Sequence, residues 1–108
     1  MKMREYPATV IRVIDGDTLE MVVDTGFRST YLDKFRLIGL NAPEGKNTEA
    51  AARLSLLLYT GRQVVVSTTK PEKYGRWLCD IAVPEVCTSV CDLLLAEGLA
   101  VKYDGGAR

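Results

Sequence analysis

The chain has 108 residues, 47 % hydrophobic and 26 % charged, with 9 glycines and 4 prolines. That balance belongs to one folded globular domain and excludes a disordered or collagen-like chain. Its 14 basic and 14 acidic residues cancel, so no global field draws it to a polyanion, and any grip on nucleic acid must come from a local cluster.

The sequence contains no histidine, which excludes Ser/His/Asp and Cys/His catalysis and any histidine-built zinc site. Proton transfer is left to carboxylates, Lys, Tyr, Cys or a metal-bound water. The cysteines Cys79, Cys87 and Cys91 are too few for a four-thiolate zinc site and odd in number, so they are read as small buried hydrophobes. No apolar run reaches the roughly 18 to 20 residues of a membrane span. The N-terminal residues Met1 to Pro7 hold no apolar signal-peptide core, and the cytoplasm is the expected location. Residues 1–108 are expected to form one domain, with a core over about 7–103 and a flexible tail over 104–108.

In chain order, Thr9, Ile11 and Val13 alternate as one face of a first strand. Leu19, Met21 and Val23 do the same for a second. Asp15-Gly16 supplies a tight hairpin turn between them, on the ground that Gly tolerates positive φ. Asp24-Thr25-Gly26 supplies the next turn, leading to a third strand over Thr30 to Leu40. The first helix follows Pro43, capped by Asn47 or Thr48. Its Ala50, Ala51, Leu54, Leu57 and Leu58 fall at helical spacing, and Gly61 is the expected C-terminal cap. Gln63 to Thr68 and Trp77 to Val83 form two more strands. Ser89-Val90-Cys91-Asp92 opens a short helix as a capping box, and Gly98 ends it. Five strands with a helix between the third and fourth is the order of an OB-fold barrel with added helices, an α+β arrangement.

Three segments carry residues that such a fold does not need. In Asp15-Gly16-Asp17-Thr18 the dipeptide reads as an ordinary turn, whereas Asp17 begins a strand, where Asp is normally depleted, and is placed to serve as a hard-cation ligand. In the stretch from Phe35 to Glu44, Arg36 lies between two apolar residues. An unpaired buried guanidinium is costly, so Arg36 requires an anion, either a carboxylate of the protein or a substrate phosphate. Asn41 and Glu44 add oxygen donors where Pro43 ends the strand. Between the last two strands, Lys70, Lys73, Tyr74, Gly75 and Arg76 fit either a solvated hairpin loop or a phosphate-gripping loop with an aromatic.

Together the three segments resemble the staphylococcal nuclease-like, or thermonuclease, family. Its signature is a D-G-D-T hairpin, an R-L-x-G-(I/V)-(D/N)-x-P-E strand end and a (K)-Y-G-R loop in that order, matched here by Asp15 to Thr18, Arg36 to Glu44 and Lys73 to Arg76. The resemblance runs from about Pro7 to Tyr103. It implies a five-stranded OB-fold barrel and Ca2+-dependent hydrolysis of DNA or RNA phosphodiesters with little sequence preference. One Ca2+ ion is implied by the resemblance, in preference to Mg2+, and oxygen-only donors agree with either of these ions rather than zinc. By position it implies Arg36, Glu44 and Arg76 as catalytic residues, and Asp17, Asn41 and the backbone carbonyl of Ala42 as metal ligands. Lys73 and Tyr74 are implied as contacts to a terminal phosphate, with Lys70 beside them.

The chain departs from the best-known secreted member in two ways. Asn41-Ala42 replaces an Asp-Thr pair, so the cation site loses one negative charge. The neutral chain also ends soon after Tyr103, without a basic extension, as short intracellular and phage-type members do. A monomer with no obligate protein partner is expected. The competing reading is a non-catalytic nuclease-like OB module that binds nucleic acid or protein.

Overall fold

The computed structural model describes residues 4–45, 47–71 and 76–103, the side chains of residues 69–71 excepted. Five strands close a barrel in the order β1 (Arg4–Asp15), β2 (Thr18–Gly26), β3 (Ser29–Leu37), β6 (Trp77–Ala82) and β5 (Gln63–Pro71). All pairings are antiparallel except β3 with β6. A short strand β4 (Leu40–Asn41) pairs with β7 (Val101–Lys102) outside the barrel. Helices α1 (Glu49–Leu57) and α2 (Val90–Ala96) complete the chain. This is the five-stranded OB-fold barrel with helices that the residue order implies.

Strand β1 serves two partners because it bends. Its first half pairs with β5 and its second with β2, and register shifts at Val10/Arg12 and Val13/Asp15 redirect it. Bulges of this kind locally increase twist and curvature, as closing a small barrel requires. They also change which face is buried. Ala8 and Val10 enter the core, while Thr9 and Ile11 are only half-buried and Val13 packs at the core's edge. Strict alternation had put Thr9, Ile11 and Val13 on one face, because a period-two count cannot see a bulge.

The inner residues of β2 follow the expected alternation, with Leu19, Met21 and Val23 buried against Phe35, Leu37, Val64, Val66, Cys79 and Ile81. The β2–β3 turn lies at Phe27-Arg28, both left-handed at φ 55° and 62°, rather than at Asp24 to Gly26. Strand β3 stops at Leu37 instead of Leu40. Gly39, at φ 79°, turns the chain out of the barrel and into β4.

Thr48 caps α1, its Oγ1 accepting from the Ala51 amide at 3.1 Å. The helix ends at Leu57 rather than near Gly61. Leu58 donates its amide to the Leu54 carbonyl at 2.7 Å, and Arg62 Nη1 donates to the Leu57 carbonyl at 3.2 Å. Gly61 instead forms the turn into β5, with its amide on the Val10 carbonyl. Ser89 caps α2 as expected. Asp80 on β6 accepts from Ser89 Oγ at 2.6 Å and from the Cys91 amide at 3.1 Å, which ties the helix to the barrel. Burial pushes the Cys79 and Cys91 thiols up, so both behave as inert hydrophobes, while Cys87 is only half-buried. Among the described residues, no helix is long and apolar enough to cross a membrane.

The start of α1 lies directly on the β1–β2 hairpin, and Gly16 makes this approach possible. A Cβ there would sit 2.6 Å from the Ala50 Cβ and 2.8 Å from the Ala42 Cβ. Gly16 is not among the left-handed glycines. Its small size, rather than its conformational freedom, is what the position requires. Gly16→Ala should therefore cost about 1–3 kcal/mol through overpacking, read by urea denaturation. An unchanged midpoint would show that the contact yields freely.

Candidate functional site

At one end of the barrel the β1–β2 hairpin, the end of β3 and the chain from β4 to α1 meet. Asp15 pairs with Thr18, which leaves Gly16 and Asp17 as the turn, one residue beyond the expected Asp15-Gly16. Asp17 therefore belongs to the turn and β2 begins at Thr18. Its side chain is buried and fully engaged. Oδ1 accepts from Thr18 Oγ1 at 3.1 Å, and Oδ2 accepts from the Ala42 amide at 3.0 Å. The Asp17 carbonyl accepts from the Leu37 amide at 2.8 Å, pinning the turn to the end of β3. Asp15 Oδ1 accepts from the Asp17 amide at 3.3 Å. Burial, followed by hydrogen bonding to the Asp17 side chain, raises the Asp15 carboxyl above its usual range.

Arg36 occupies the centre of this arrangement, its side chain only 10 % exposed. Nη1 donates to the carbonyls of Leu37 at 3.3 Å and Leu40 at 3.1 Å. Nη2 donates to Asn41 Oδ1 and forms an ion pair with Asp17 Oδ2 at 3.6 Å. Of the two anions the sequence left open for Arg36, the structure supplies the carboxylate. The Tyr103 ring lies against the guanidinium, its centre 5.5 Å from Cζ. Two carbonyls, an amide oxygen and a carboxylate oxygen thus converge on one cation. Oxygen donors of this kind also suit a hard divalent ion, so the residues present fit such a group. Among the described residues, no three carboxylates or thiols gather into a cluster of their own.

Asn41 is half-buried on β4, and Ala42 is tied to Asp17 through its amide. Glu44 lies two residues further on, exposed in the loop that leads to α1. Arg76 is half-buried immediately before β6. Leu78, two residues after it, is the register partner of Arg36, so Arg76 enters the strand that runs beside the end of β3. The structure thus gathers Asp17, Arg36, Asn41 and Ala42 into direct contact. Glu44 follows on the adjoining loop, and Arg76 lies just before the neighbouring strand β6. Lys73 and Tyr74 lie outside the described residues, as does the side chain of Lys70. Two participants escaped the sequence reading. The sequence marks Asp15 only as turn material, and Tyr103 only as the edge of the domain. The closely spaced carboxylates of Asp15 and Asp17 were a usable signal for the first, whereas nothing local marks Tyr103.

The chain matches no protein-family model. It is 32 % identical to a protein named micrococcal nuclease from Shigella flexneri, over 92 % of this chain and 59 % of that protein. It is 33 % identical to an uncharacterized endonuclease from Escherichia coli O157:H7, over 88 % of this chain and 60 % of that protein. An uncharacterized endonuclease from Escherichia coli matches at the same identity and the same shares. The chain therefore spans about 60 % of the length of these relatives. Identity over most of the chain to proteins named as nucleases, together with the closed OB-fold barrel, supports a staphylococcal nuclease-like family.

Proposed function

We propose that this domain is a metal-dependent nuclease that hydrolyses phosphodiester bonds of DNA or RNA with low sequence specificity, and that its cation is Ca2+. The observation that carries this reading is the convergence of Asp17 and Asn41 side-chain oxygens on the single point held by Arg36 Nη2. In this reading Asp17, Asn41 and the Ala42 carbonyl hold the cation, which supplies Lewis-acid polarisation of the phosphoryl oxygens when bound. Arg36 then keeps the Leu37 and Leu40 carbonyls on Nη1 and turns Nη2 toward a substrate phosphate. Two guanidiniums, Arg36 and Arg76, oppose the charge that grows on phosphorus, because a planar fork can pair two phosphate oxygens at once. Glu44, an exposed carboxylate on the adjoining loop, orients or deprotonates the attacking water. Lys70, Lys73 and Tyr74 touch the terminal phosphate. The domain is taken as a cytoplasmic monomer.

A second reading, a non-catalytic OB module, is favoured by one observation. Arg36 already holds four internal acceptors on Nη1 and Nη2, as a purely structural arginine would. Cleavage separates the two. The purified chain should cut plasmid DNA or RNA with Ca2+ and lose that activity with chelator. Arg36→Ala and Arg76→Ala should each lower turnover by about 10² or more. Cleavage that survives chelator, or both variants at near-normal rate, would overturn the assignment.

Asn41 contributes an amide oxygen where a carboxylate would add charge. A site with Asp17 as its main anion should bind Ca2+ with a dissociation constant on the order of 10⁻⁴ to 10⁻³ M. A bound phosphate should tighten it, since substrate then supplies the missing charge. Asn41→Asp should strengthen Ca2+ binding and lower the Ca2+ needed for half-maximal cleavage, measured by calorimetry with and without a nucleoside bisphosphate. Unchanged affinity in the variant would remove Asn41 from the ligand set.

A further inference from the structure

We propose that Tyr103 is a positioning residue for Arg36, a role that rests on reading Arg36 as the phosphate clamp. The hydrogen-bonding partners of Arg36 all meet the edge of its guanidinium. Leu37 and Leu40 carbonyls take Nη1, and Asn41 and Asp17 take Nη2. Edge contacts fix where the fork points but leave the flat faces of a planar cation unsupported. The Tyr103 ring supplies the support, with its centre 5.5 Å from Cζ, within the range at which an aromatic face attracts a guanidinium.

The backbone explains how the ring comes to be there. Tyr103 donates its amide to the Gly39 carbonyl at 2.9 Å, and the two residues before it pair with Leu40 and Asn41. The segment that offers the Leu40 carbonyl and the Asn41 side chain to Arg36 is therefore clipped to the segment that carries the ring. Strand β7 has both residues exposed, Val101 at 67 %, so burying apolar surface is not what it contributes. Ala100, packed in the core just before it, anchors the clip. The ring and two of the edge acceptors thus move as one unit with respect to Arg36.

The consequence is specific. Once a cation or substrate draws Nη2 away from Asp17 and Asn41, Arg36 keeps its carbonyl contacts on one nitrogen and the ring on one face. Without the ring, the guanidinium can pivot about its remaining edge contacts and lose alignment with the phosphate. Turnover should suffer more than substrate binding, because misalignment matters most when charge develops.

The test compares Tyr103→Leu, which removes the ring, with Tyr103→Phe, which keeps it, each with Arg36 present and with Arg36→Ala. Tyr103→Leu should lower kcat about tenfold with KM changed less than about threefold. Tyr103→Phe should stay within about threefold of wild type. In the Arg36→Ala background, Tyr103→Leu should cause no further loss. The NMR shift of the Arg36 Nε–H group should move in Tyr103→Leu and hold in Tyr103→Phe, whatever the activity. Equal losses with Leu and Phe, an equal loss when Arg36 is absent, or an unmoved Arg36 signal would each overturn the proposal. A wild type that cleaves nothing would sink the nuclease reading itself, and a cleaving wild type with uncoupled variants would sink the positioning role alone.

Discussion

Taking a guanidinium and a carboxylate out of water is costly, and their mutual attraction offsets that cost only when the remaining donors and acceptors are also satisfied. Arg36 and Asp17 meet this condition through two separate stretches of the chain. The β1–β2 turn supplies the carboxylate, and Thr18 and the Ala42 amide complete its hydrogen bonds. The end of β3 supplies the arginine and one carbonyl, and β4 supplies another carbonyl and the Asn41 side chain. The turn is distant in sequence from the stretch Arg36 to Ala42. The barrel brings them together, and the pair in turn fixes the path of the chain from Leu37 to Ala42.

That constraint explains features with no purpose in the barrel alone. Strand β3 breaks at Leu37 so that the chain can return over its own end and present Asn41 and Ala42. Gly16 allows the start of α1 to lie on the turn that carries Asp17, closing the site from one side. Strand β7 holds β4 in place from the other. The result is a set of oxygen donors already gathered around one positive charge, in a protein whose overall charge is zero. Whatever anion or cation this end of the barrel handles, the selectivity lies in these few atoms rather than in a broad electrostatic field.

Much of this was legible from residue order, and the failures have identifiable causes. The strand–helix sequence, the Thr48 and Ser89 caps and the inner face of β2 depend on local chemistry and short periods, which a single sequence displays. The burial of Arg36 and its need for an anion were visible because a charge between Phe35 and Leu37 has no inexpensive alternative. The identity of that anion was not, since Asp17 is distant in sequence and only the β2–β3 register brings it near. The face of β1 was misjudged because bulges carry no reliable local mark. Gly16 was credited with backbone freedom when its neighbours Ala42 and Ala50 demand small size. Tyr103 was missed for the same reason as Asp17: its contact exists only after β7 pairs with β4.

The central claim is that Arg36 and Asp17 form one coupled unit on which the end of the barrel depends. A double-mutant cycle of Asp17→Asn, Arg36→Met and the combined variant, followed by urea denaturation, tests it most directly. Each single change strands a buried charge and should cost about 3–5 kcal/mol. The double variant should cost less than the sum of the two by about 2 kcal/mol or more, because neither charge is then left without its partner. Strictly additive losses would mean that the two residues are stabilised independently, and would contradict the account.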